Sequence, residues 1–259
     1  MPMSNASDTT HKIDSVKNIL LLPRIASLLA LLAVSCCQSA SADPAKAVVR
    51  IRAGDSYASG TIIKRTIKGG IILAVADHMF TSDVKEVCIG FNRSSISLPG
   101  RVIYRGGSKI DIALVIAKFA DHLQIQIPFI SQGVRLGQSI RAVGFTDRSQ
   151  IMNEAGTVSL MLAKSIKGGY SIGTSANIQK GMSGGGIFDA DENLVGIIST
   201  HADPLWESDI YFTDNSKVPK EITRQVSSFS MAINIKDVIG LLKSYQLFEG
   251  RLSRERCSL

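Results

Sequence analysis

The stretch NIQKGMSGGGIFDADENLVGI, residues 177–197, sets one serine among glycines. Gly181 lies two residues before Ser183, and Gly184, Gly185 and Gly186 follow it. Serine–glycine clusters ordinarily form loops, so two readings stand side by side. Ser183 is either a turn residue or a nucleophile carried on a tight bend. A serine hydroxyl is a weak nucleophile alone. It needs a base within hydrogen-bond reach and a third group to orient that base.

The remaining composition is that of a globular chain. Of 259 residues, 45% are hydrophobic and 20% charged, with a net charge of +7. The charges are dispersed, with no dense Lys/Arg tract and no aromatic RNA-binding signature, which argues against a nucleic-acid partner. Lys12, Lys17 and Arg24 precede the apolar run IASLLALLAVS, and SASADP follows, with Ala40 and Ala42 in a small-x-small pattern. This predicts an export signal over residues 1–42, cleaved after Ala42. A lipobox-like LAVSC ending at Cys36 offers lipid anchoring as the alternative. An uncleaved anchor is disfavoured, because Pro23-Arg24 interrupts a stretch short of the roughly 20 residues a span needs. Each route places the folded part outside the cytoplasm. Cys88 and Cys257 then remain, too few for a disulfide framework, and two free thiols are expected in preference to a bridge. No metal-ligand cluster is visible, so no metal or cofactor is expected.

Short Val/Ile-rich runs bounded by Gly, Asp, Asn or Ser dominate from residue 46 onward: KAVVRIRA, TIIKRTI, IILAVA, EVCIGF, RVIYR, DIALVIA, SIRAVGF, GTVSLMLA, GIFDA, LVGIIST and FSMAIN. Many short strands and few helical periods predict an all-β barrel or sandwich. The end differs. From Ile235, apolar residues recur at helical spacing after Asn234, a candidate N-cap. Residues 119–128 are read as a crossover between two groups of strands, 208–228 as a long polar loop, and 249–259 as a loose tail.

Beyond the leading segment the histidines are His78, His122 and His201. His78 ends the run GGIILAVADH, where an ordinary histidine would be a solvated strand end. His122 sits in the crossover and His201 follows VGIIST. Asp111, in GGSKIDIALVIAK, opens an apolar stretch where a carboxylate is expensive to bury without partners. It reads as a turn carboxylate or as an acid that orients an imidazole. His78, Asp111 and Ser183 follow in that order, each at the end of a strand-like run.

VADH, DIALV and GMSGGG in this order on a mostly-β chain resemble the trypsin-like serine proteases, and most nearly the bacterial HtrA-type branch. SGTII, LGQSIRAVGF, GTVS and FSMAINI extend the likeness over nearly all of the chain after residue 42. The resemblance implies two six-stranded antiparallel β-barrels, over 43–118 and 129–234, with a C-terminal helix over 235–248. It implies a cleft that holds His78 and Asp111 from the first barrel and Ser183 from the second. It also implies an oxyanion hole from the N–H groups of Gly181 and Ser183, and a hydroxyl at Ser199 that bonds the aspartate. The primary pocket maps to Asn177, Ser199, Thr200 and His201. Without an acid at Asn177, cleavage after Arg or Lys is not expected. His201 beside Thr200 suggests cleavage after Glu, or after small or medium uncharged residues.

Three positions depart from the common pattern: Asp77 before the histidine, Met182 before the serine, and Gly186 where proline is frequent. No Ile/Val-Val-Gly-Gly start is present, so zymogen activation by that route is not expected. No PDZ module is expected after the last helix. Gly-x-Ser-x-Gly also fits an esterase elbow, but GGGIFDADEN is a poor helix start, and only His201 follows the serine. The expected activity is therefore a serine endopeptidase acting on a protein or peptide. The alternatives are a partner-activated enzyme and a non-catalytic peptide-binding fold. Oligomeric state is left open.

Overall fold

The computed structural model describes residues 43–81, 83–92, 94–118, 123, 125–200 and 209–244, with the side chain of Thr200 excepted. The expected export segment, the Cys36 anchor, His122, His201, Cys257 and the tail lie outside the described residues.

Twelve strands form two closed barrels. The first contains β1 Val48–Ala53, β2 Ser56–Arg65, β3 Gly70–Val75, β4 Glu86–Phe91, β5 Ser97–Arg105 and β6 Ala113–Lys118. Around the barrel their order is β1-β2-β3-β6-β5-β4. The second contains β7 Ser139–Phe145, β8 Ile151–Ile166, β9 Tyr170–Thr174, β10 Gly186–Phe188, β11 Leu194–Thr200 and β12 Ser230–Asn234. Their order is β10-β11-β12-β9-β8-β7. All strand pairs are antiparallel.

The strand alternation explains why several strands are apolar throughout. Side chains along a strand point to opposite faces. In β3, Ile71, Leu73 and Val75 fill the first barrel. Ile72 and Ala74 instead face a second core, which also takes Val143, Phe145, Phe188, Ile197 and Ile233 from the other barrel. Both faces of β3 are therefore dry, which is the setting for a continuous apolar run. The helix α2, Ile235–Ser244, lays Ile235, Val238 and Leu242 into the same inter-barrel core. Those spacings of three and four place the three on one helix face. Asn234 caps α2, its Oδ1 accepting the Lys236 N–H at 3.0 Å.

Three expectations need correction. The stretch 208–228 is not all loop, because Lys220–Ser227 forms a helix, α1. Val226 and the partly buried Ile222 pack it onto Leu160, Ile166, Val218 and Met231. Two apolar residues among charges leave almost no periodicity to read. β9 (YSIGT) is a strand that was not anticipated. Glycines before and within it dilute its strand signal. Cys88, on β4, is disulfide-bonded rather than a free thiol, and its partner lies outside the described residues. No helix among the described residues is long and apolar enough to cross a membrane.

Phe188 is fully buried where the barrels meet. Phe188→Ala should lower unfolding stability by about 3–5 kcal/mol, read as a fall in the urea midpoint without a change in far-UV circular dichroism of the folded state.

Candidate active site

Immediately after β3 the chain makes one 3-10 turn, Asp77–Met79. Asp77 and Met79 are buried and pin the turn, while the His78 side chain is half exposed. Asp111 lies just ahead of β6 and is 5% exposed. Its Oδ1 accepts the backbone N–H of His78 at 2.7 Å. Its Oδ2 accepts from His78 Nδ1 at 2.7 Å, from the Ser199 hydroxyl, and from the Tyr170 hydroxyl at 3.5 Å. A buried carboxylate is tolerated when hydrogen-bond donors surround it, as here. The Asp111 hydrogen bond holds His78 above its usual 6.5. Burial opposes this, and the charges of Asp111 and Asp77 add to the rise. Burial, followed by the Asp111 charge, pushes the Tyr170 phenol up to about 12, so it remains a donor at neutral pH.

Ser183 sits in the turn before β10. Its Oγ donates to the Ser199 carbonyl at 2.8 Å. Ser199 therefore joins the two halves of the site, its hydroxyl on Asp111 and its carbonyl on Ser183. No hydrogen bond joins His78 to Ser183 among the described residues. The N–H groups of Gly181 and Ser183 meet no protein acceptor among the described residues. Gly181 has φ +95°, and a Cβ there would lie 2.6 Å from the Asp147 nitrogen. This conformation and this crowding both require glycine.

The pocket candidates separate. Asn177 is exposed. Ser199 is 1% exposed, and its hydroxyl lies on Asp111. The backbone of Thr200 pairs with Met231 on β12. Its side chain, with His201, lies outside the described residues.

A model of the trypsin-like peptidase domain matches residues 58–197, which hold all of these site residues except Thr200, His201 and Ser199. The chain belongs to the trypsin-like peptidase family. No curated protein matches it. Among solved structures it is similar to an inactive form of Rv3671c from M. tuberculosis H37Rv, at 13% identity over 80% of this chain and 91% of that one, TM-score 0.57. It is similar to the serine endoprotease from Yersinia pestis, at 18% identity over 77% of this chain and 62% of that one, TM-score 0.56. It is also similar to the HtrA-type protease AlgW with tripeptide, at 20% identity over 77% and 60%, TM-score 0.56. The chain spans less than two thirds of the last two. At these identities the likeness is one of fold.

Within this trypsin-like peptidase the three departures have structural accounts. Met182 is fully buried in the second barrel, and its Sδ accepts the Gln179 N–H at 3.3 Å, so an apolar anchor holds the serine turn from inside. Gly186 packs against Phe188, whose ring a Cβ would meet at 2.5 Å. Asp77 pairs with Arg105, a residue that sequence reasoning did not single out. Ser59, within SGTII, is a second residue that its sequence context does not mark. It is fully buried on β2, accepts the Phe145 N–H at 2.7 Å and donates to the Gly181 carbonyl at 2.9 Å. Its own N–H donates to the Ser183 carbonyl at 2.9 Å. A lone serine in a strand gives no signal of this kind.

Ser59→Ala leaves the buried Phe145 N–H and Gly181 carbonyl without their hydroxyl partner. It should lower stability by about 1–3 kcal/mol, measured by equilibrium urea unfolding.

Proposed function

We propose that the chain is a serine endopeptidase that cleaves peptide bonds through an acyl-enzyme. Ser183 is the nucleophile, His78 the general base, Asp111 the orienting acid, and the N–H groups of Gly181 and Ser183 the oxyanion donors. The observation that carries this reading is the 2.7 Å hydrogen bond between His78 Nδ1 and Asp111. With the proton held on Nδ1, the neutral ring presents Nε2 as its acceptor.

Ser183 Oγ attacks the substrate carbonyl carbon while its proton passes to Nε2. The negative charge gathers on the carbonyl oxygen, where two fixed N–H donors stabilise it. The imidazolium then protonates the departing amine, the C–N bond breaks, and an ester on Ser183 remains. Water, deprotonated by His78, repeats the sequence and releases the acid. Before attack, rotation about Ser183 χ1 must exchange the Ser199 carbonyl for Nε2, a move between staggered wells. Asn177 in place of a carboxylate supports a preference other than Lys or Arg before the scissile bond. Residues 1–42 support export of the mature chain.

A second reading has one observation in its favour. The Ser183 hydroxyl is bound to Ser199 and not to His78, as in an enzyme held off until a partner docks. A fluorophosphonate probe separates the two. Stoichiometric labelling of the purified protein, abolished by Ser183→Ala, is expected from a constitutive site. A folded protein that takes no label excludes constitutive activity.

The pH profile provides a second test. Only neutral His78 accepts the serine proton, and its pKa lies above 6.5. Labelling rate should therefore fall as pH drops through that value, with the midpoint of the acid limb above 6.5.

A further inference from the structure

Arg105 closes β5 and reaches the turn that carries His78. Its Nε donates to Asp77 Oδ1, and its Nη2 lies 3.4 Å from both Asp77 Oδ2 and the Asp77 carbonyl. Nη2 also donates to the Phe80 carbonyl at 3.1 Å, and Nη1 to the Thr81 carbonyl at 3.0 Å. The guanidinium lies over the Phe80 ring, 5.1 Å from its centroid. It thus binds the chain on both sides of His78. Asp77 in turn accepts the Gly107 N–H at 3.1 Å, which ties the same carboxylate to the loop before Asp111.

We propose that Arg105 is a positioning residue for the general base. It clamps the His78 turn onto β5 and balances the charge that Asp77 directs at the imidazole. The inference rests on the reading of His78 as base. Arginine suits this place, because its planar fork reaches one carboxylate and several carbonyls at once, which a lysine ammonium cannot do. The charge balance matters because Asp77 is buried, where charges are weakly screened. The groups that face His78 are Asp111 from the loop before β6, Asp77 from its own turn, Arg105 from β5 through Asp77, and Tyr170 from β9 through Asp111.

The two single variants have opposite signs. Arg105→Gln leaves the Asp77 charge unopposed, favours the imidazolium, and should move the acid limb of fluorophosphonate labelling to higher pH. Asp77→Asn removes that charge and should move the limb to lower pH. In the Asp77→Asn background Arg105→Gln should still move it upward, back toward its position in the unaltered protein, because the two charges act on the imidazole additively. The limiting rate at high pH should fall about 10–100-fold in Arg105→Gln, the size expected from a misplaced catalytic group. Arg105→Lys, which keeps the charge but not the fork, should lose rate with its limb nearly in place. NMR titration of the His78 ring reads the same shifts without catalysis. Opposed NMR shifts in a protein that takes no label would overturn the constitutive catalytic reading and keep the coupling. Unmoved limbs, or limbs that move in one direction in both single variants, would overturn the proposal.

Discussion

A Cβ on residue 184 would fall on the carbonyl oxygen of Ser59 and 3.0 Å from the Ala76 nitrogen. The serine turn of the second barrel thus lies backbone to backbone against β2 and the end of β3 in the first. Only glycine permits that approach, and Gly184 at φ +85° also needs the left-handed region. Ser59 and Thr61 then fasten the contact. Ser59 bonds the carbonyls of Ser183 and Gly181, and the Thr61 hydroxyl bonds the carbonyl of Gly184 at 2.9 Å. These polar groups are buried, so each bond left unmade would cost more than each made bond contributes. The position of Ser183 relative to His78 follows from this contact.

Asp111 extends the same dependence. The donors around its carboxylate come from separate segments: the turn after β3, β11 and β9. Its own N–H donates to Gly168 of the β8–β9 turn at 2.8 Å. Two of those segments belong to the other barrel. Take the second barrel away, and a carboxylate that is 5% exposed loses the Ser199 and Tyr170 hydroxyls while the core formed by Ile72, Leu114 and Phe188 is opened. Docking of the barrels and assembly of the site are therefore one event, held by apolar burial and made specific by a satisfied polar network.

How far the sequence could be read follows from the same physics. Strands dry on both faces, such as IILAVA and LVGIIST, announce themselves as unbroken apolar runs. Asn234 and the spacing of Ile235, Val238 and Leu242 mark α2 just as plainly. His78, Asp111 and Ser183 were legible because their order and flanking strands resemble one family, not because any one of them is distinctive. β9 was hidden by its glycines, and α1 by a face of only two apolar residues. Ser59 and Arg105 act across gaps of 122 residues to Gly181 and 28 to Asp77. Local pattern holds no record of such contacts, which the closure of the barrels creates. The Ser199 hydroxyl reaches Asp111 across a gap of 88 residues, a contact of the same long-range kind.

What remains adjustable in this arrangement is small. Asp111 is held by donors from several segments, and His78 by two bonds to Asp111. The backbone at Ser183 is held by the glycine contacts and by Ser59. The torsion of the Ser183 side chain is the element left uncommitted, with its hydroxyl on the Ser199 carbonyl. The bond it would give up contributes only about 0.5–1.5 kcal/mol, so another rotamer is within easy reach. A donor that took the Ser199 carbonyl would compete with the Ser183 hydroxyl for it and release that hydroxyl to rotate.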